Sequence, residues 1–157
     1  MTEDKIGMSE EETAEGAAVA AGTDAAEKQA SEAEKIAAEK GLHILYEDNH
    51  IIVALKPQMM GCCPDESKDD NLFDKIKEYI KEAYKKSGNV YLGLVHRLDR
   101  PTGGVMVYAK TSKAAARLSE GMQKGDFEKK YLAVLVGEVE GERGTLTNYL
   151  RKNTVNN

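Results

Sequence analysis

No stretch of the 157 residues is apolar for long enough to cross a bilayer, which takes about twenty consecutive apolar residues. The N-terminal region lacks the apolar run of a secretory signal and is too acidic for a transit peptide. Cysteine is scarce. Cys62 and Cys63, the two present, are adjacent, which is poor geometry for a disulfide and too few ligands for a structural zinc site. They read as small loop or core residues of a reducing compartment. No internal repeat is visible, which excludes a solenoid or propeller. These absences leave a cytoplasmic protein with no membrane association as the expectation.

The first forty residues contain no aromatic side chain. They carry eleven acidic and four basic groups, net −7, whereas residues 41–157 carry sixteen and eighteen, net +2. An Ala, Glu and Gly-rich stretch of this kind buries too little apolar surface to offset the entropy of ordering. Residues 1–40 are therefore expected to be a disordered acidic tail, with a marginal helix possible over 25–40. Residues 41–157 are expected to form the folded part.

Acid is also missing from the middle of the chain. Asp99 is the one acidic residue between Glu82 and Glu120, a span with Lys85, Lys86, Arg97, Arg100, Lys110, Lys113 and Arg117. Such a surface draws in an anionic polymer. The carboxylate lies within His96-Arg97-Leu98-Asp99-Arg100-Pro101-Thr102-Gly103-Gly104, a loop that ends in two residues suited to a sharp turn. Read from residues alone, Asp99 is either a turn residue bonded to its own backbone or a reactive group. Ionised at neutral pH as aspartates ordinarily are, it suits a nucleophile or base better than an acid. A magnesium site usually collects more than one oxygen ligand, and no second acid is near in sequence.

Around this loop the elements follow from periodicity. Leu42–Glu47 and His50–Leu55 are short apolar runs about Asp48-Asn49, a hairpin pattern closed by Lys56-Pro57. After a loop over 58–70, Asp70 or Asn71 can cap a helix with Leu72, Ile76, Tyr79, Ile80 and Ala83 on one face, ending at Ser87-Gly88-Asn89. Tyr91–Val95 and Val105–Ala109 read as strands entering and leaving the motif loop. A helix capped by Thr111 or Ser112 follows, with Ala115, Leu118 and Met122 on one face and Gly125 at its end. Phe127–Glu138 reads as the strongest strand, and Gly141–Gly144 as a turn before a short run at 145–150. The absence of a regular βαβ repeat predicts α+β, with a mixed, largely antiparallel sheet and flanking helices.

The motif resembles that of the RluA-type pseudouridine synthases, which isomerise uridine to pseudouridine within RNA. Val105–Arg117 is similar to the strand and helix that follow it in that family. Phe127–Gly137 is similar to the second motif, and Leu45–Pro57 to the opening hairpin, so the likeness covers about residues 42–152. It implies a pseudouridine-synthase-like fold and an enzyme acting on structured RNA, ribosomal or transfer, without a cofactor or metal. It implies that Asp99 is the catalytic nucleophile or base. Arg97 then fills the space left by the flipped uridine, and Tyr131 stacks on the target base. Arg100 bridges to an RNA phosphate. His96 is either a participant at the RNA or a structural histidine. The pattern continues in the family to a third motif, with a basic partner for the aspartate. Asn157 precedes it and Arg151 falls in the wrong part of the pattern, so a truncated catalytic domain with an unpaired sheet edge is expected. A non-catalytic RNA-binding remnant is the alternative.

Overall fold

The computed structural model describes residues 27–139, 141–149 and 151. The chain divides into two compact units, Met1–Phe127 and Glu128–Asn157. Most of the expected acidic tail, residues 1–26, lies outside the described residues, as do Leu150 and residues 152–157.

The first described element is a helix over residues 27–39, α1. Ala37 is buried in the core, and Ala33 and Ile36 pack against it. Part of the stretch expected to be tail, residues 27–39, is therefore helical, where the expectation allowed a marginal helix. A helix marginal in isolation is held here by the apolar face it buries. The strands β1 (His43–Glu47) and β2 (Ile51–Lys56) form the expected hairpin. Asp48 shapes its turn, accepting from the backbone N–H groups of His50 and Ile51, both at 2.7 Å. Those bonds hold the Asp48 carboxyl below its ordinary pKa.

Helix α2 (Leu72–Ala83) begins at Asn71, whose side chain accepts from the Asp74 N–H at 2.9 Å and donates to the Asp74 carboxylate at 2.8 Å. Its buried residues are Leu72, Ile76, Tyr79, Ile80 and Ala83, the face expected from spacing. Strands β3 (Gly93–Leu94) and β4 (Gly104–Ala109) complete a sheet of order β1-β2-β4-β3, antiparallel at each pairing. Ile52, Ala54 and Lys56 of β2 are all buried. They stand opposite Tyr108, Met106 and Gly104 of β4, so alternation turns a lysine toward the core. Helix α3 (Ser112–Lys124) starts at the Thr111 cap and stops at Gly125, whose φ of 80° is left-handed. It approaches the sheet closely at Gly93, where an added Cβ would lie 3.0 Å from that of Ala115.

A polar knot ties the far end of the sheet to α2. Glu47 pairs with Lys110 at 2.5 Å and accepts from the hydroxyls of Tyr79 and Tyr84 at 2.7 and 2.9 Å. Lys110 also donates to the Asp48 carbonyl at 2.7 Å. The fold class is α+β, as expected.

Three expectations are corrected. The strand expected over Tyr91–Val95 shrinks to two residues, for a reason found at the motif loop below. The face of α3 is half-covered, with no residue buried, because the helix meets only the β3–β4 side of the sheet. In the second unit, residues 128–139 form no strand, and Leu132, Val134 and Val136 are fully exposed. Alternating apolar sequence makes a strand only where another strand supplies its hydrogen bonds, and none among the described residues pairs with this segment.

Candidate active site

The motif is the connection from β3 to β4, and four anchors hold it. At its entry, the Val107 N–H donates to Nε2 of His96 at 3.0 Å. The imidazole thus takes the rung that backbone would occupy beyond Leu94, which is why β3 stops there. At its exit, Gly103 presses on β2: an added Cβ would lie 3.1 Å from Gln58 Cγ and 3.3 Å from the Lys56 carbonyl oxygen. Gly104 follows with φ of 152°, a backbone conformation that favours glycine.

The third anchor is Lys56, only 1% exposed. Its ammonium donates to the carbonyls of Met60 at 2.7 Å, Pro57 at 3.1 Å and Arg100 at 3.2 Å. Burial pushes its pKa below the ordinary lysine value. The charge that remains is spread over carbonyls of both loops, and it joins the 57–60 segment to the motif.

Arg100 makes the fourth. Its guanidinium donates to Asp69 at 2.6 Å, and to Asp65 and the Ser67 hydroxyl at 3.0 Å each. Ser67 and Arg100 both hold the Asp65 carboxyl below its ordinary pKa, and Arg100 does the same for Asp69. Asp99 is alone in sequence, but its neighbour in the loop is clamped by two acids from the 61–70 segment.

Between the anchors the chain turns, with Thr102 N–H donating to the Asp99 carbonyl at 3.0 Å. Leu98 tucks against the core while Arg97 and Asp99 on either side are exposed. The Arg97 guanidinium lies beside the sulfurs of Cys62 and Cys63, Cys62 above all, which raises its already high pKa. Both cysteines are free, Cys62 buried and Cys63 half-buried. Burial pushes the Cys63 thiol above its ordinary pKa, against the pull of Arg97. Two surface hollows, one beside α2 and the 87–90 turn and one between α1 and β1, are not lined by the motif. Tyr131 belongs to the second unit, where its ring is 64% exposed.

The structure thus gathers His96, Arg97, Asp99 and Arg100 on one loop. Sequence reasoning missed Lys56 and the Asp65, Ser67, Asp69 set. The alternation Ile52, Ala54, Lys56 was a usable signal for the lysine, since it continues an inward-facing row. The acids carried no such signal, because only the tertiary fold brings the 65–69 loop to Arg100.

A family model described as RNA pseudouridylate synthase matches residues 50–157, and the chain belongs to that family. The uncharacterized RNA pseudouridine synthase YhcT of Bacillus subtilis (strain 168) is 33% identical over 120 residues, covering 75% of this chain and 39% of that protein. Ribosomal large subunit pseudouridine synthase D of Xanthomonas campestris is 35% identical over 96 residues, covering 61% of this chain and 28% of that protein. The Escherichia coli (strain K12) protein of the same name is 35% identical over 99 residues, with 62% and 29% covered. Among solved structures, human RNA pseudouridylate synthase domain containing 4 superposes with a TM-score of 0.47 at 23% identity, over 63% of this chain and 34% of that one. The chain therefore spans well under half the length of these relatives.

Proposed function

We propose that residues 41–157 are the N-terminal portion of the catalytic domain of an RNA pseudouridine synthase acting on structured RNA, ribosomal or transfer, in the cytoplasm. The observation that carries this reading is an exposed carboxylate, Asp99, at the crest of a loop held at four points. Pre-set geometry is what lets one side chain act on a bound centre. In the isomerisation the bond from uracil N1 to ribose C1′ breaks and uracil C5 bonds to the same carbon. The hydrogen on C5 leaves as a proton and N1 gains one, so no redox partner or cofactor is consumed. Asp99 serves as nucleophile at C1′ or as base toward the ribose.

Arg97, exposed beside Asp99 in the loop, supplies a planar cation to stack where the flipped base was, offsetting part of a flipping cost of a few kcal/mol. Tyr131 supplies the ring beneath the base. His96 serves the site through Val107, holding the loop rather than touching RNA.

Tritium release from RNA labelled at uracil C5 measures turnover directly. In the full-length protein, Asp99→Asn should lower the release rate by about 10²–10⁴-fold or more and leave RNA affinity nearly unchanged. Affinity should fall as salt rises, because neutralised phosphates release counterions. Turnover near wild type in Asp99→Asn would assign the chemistry elsewhere. Salt-dependent binding without release by the full-length protein would establish the alternative, a non-catalytic RNA-binding module.

A further inference from the structure

Arg100 carries a charge that the chemistry above does not use. Its guanidinium meets three side chains of one short loop: Asp69 at 2.6 Å, and Asp65 and Ser67 at 3.0 Å each. That loop is curled to deliver them. The Ser67 hydroxyl and N–H both donate to Asp65, at 2.5 and 3.0 Å, and the Asp69 N–H donates back to the Ser67 hydroxyl at 3.2 Å. Lys68 takes a left-handed φ of 59° to close the curl. Two carboxylates brought together this way repel unless a cation lies between them, so the curl and the arginine depend on each other. From the other side, Lys56 grips the Arg100 carbonyl at 3.2 Å. The residue that follows Asp99 is thus held at both its backbone and its side chain.

We propose that Arg100 is a positioning residue for Asp99, acting through the Asp65, Ser67, Asp69 loop. The proposal rests on the pseudouridine synthase reading and adds to it a device in the 61–70 segment that fixes the reactive carboxylate. The charge count opposes the other use of an arginine here, a bridge to an RNA phosphate. With one cation and two carboxylates the cluster is net negative, and a phosphate would have to displace acids already bonded at 2.6 and 3.0 Å. Their side chains are 47% and 58% exposed, so replacing them leaves the core intact.

The test compares Arg100→Ala, Arg100→Lys, the pair Asp65→Asn with Asp69→Asn, and the combination of Arg100→Ala with that pair. Single-turnover tritium release is read beside RNA affinity over a salt series. Arg100→Ala and the asparagine pair should each slow release by ~10- to 100-fold without changing affinity or its salt slope. Their combination should cost no more than either alone, since they break one interaction. Arg100→Lys, which keeps a point charge and loses the fork, should recover part of the rate. Weaker RNA binding by Arg100→Ala, with a salt slope reduced by about 1, would overturn the proposal in favour of a phosphate bridge. Additive losses would overturn it as well. A separate readout distinguishes failure of this inference from failure of the functional reading. Amide exchange at Thr102, whose N–H bonds the Asp99 carbonyl at 3.0 Å, should quicken in the asparagine pair while exchange at Lys110 does not. Unchanged Thr102 exchange overturns the clamp whether or not turnover is seen, whereas quickened exchange beside absent turnover by the full-length protein overturns only the enzymatic reading.

Discussion

Lys56 shows how one side chain can bind two loops into a site. Replacement by methionine keeps the length and removes the donor, leaving the carbonyls of Met60, Pro57 and Arg100 facing an apolar tip. A buried acceptor left unmade costs about 1–3 kcal/mol, so Lys56→Met should lower the urea midpoint by at least that equivalent and slow tritium release along with it. Unchanged stability would mean that water replaces the ammonium at no cost. The residues on the motif were legible because they are contiguous: Asp99 stands out from its charge setting, and Arg97, Arg100 and His96 stand beside it. Lys56 was not read, because Lys56-Pro57 passes for the end of a hairpin until strand pairing with β4 fixes which way the lysine points. Arg100 was legible as a cation and illegible as a clamp, since its partners are more than thirty positions away.

Among the elements, α2 was the most transparent. Its cap and its apolar face are both local patterns, and local patterns survive folding unchanged. Asn71 is 5% exposed and bonds Asp74 twice, so Asn71→Ala should destabilise the fold by about 1–2 kcal/mol. Thermal unfolding checks this, and Asn71→Ser, which keeps an acceptor for the Asp74 N–H without a second carboxylate, should lose less. Strands were less transparent because they need neighbours. The Tyr91–Val95 run has the composition of a strand, yet it yields to the His96 ring after two residues. The Phe127–Glu138 run has a still stronger composition, and no strand among the described residues meets it. Propensity measures how well a segment fits a sheet, not whether a sheet edge is there.

At the scale of the whole molecule, three tyrosine hydroxyls are closed off from ionisation. Tyr79 and Tyr108 are pushed far above the ordinary tyrosine value, by burial first, and Tyr84 up to about 12. Unfolded tyrosine titrates near pH ~10. A folded pKa above the unfolded one means that stability is intact below that pH and is lost as pH rises toward the folded value. Alkaline titration should therefore show tyrosinate absorbance from these residues appearing together with loss of far-ultraviolet circular dichroism, from about pH 10 upward. Complete tyrosinate formation with the dichroism intact would contradict the packing described for α2 and β4.

The strand order β1-β2-β4-β3 also sets a calendar for the nascent chain. β2 meets β1 across a three-residue turn and can pair as soon as both have left the ribosome, because closing a short loop costs little entropy. Its pairing with β4 joins Ile51 to Ala109 and Lys56 to Gly104, contacts that form late because so much chain must first be drawn in. Lys56, Asp65, Ser67 and Asp69 are synthesised before Asp99, and Gly103, Gly104 and Val107 after it. A ribosome paused just beyond Asp99 therefore holds that residue without all of its loop's anchors, and the loop is fixed only when β4 has emerged and closed against β2.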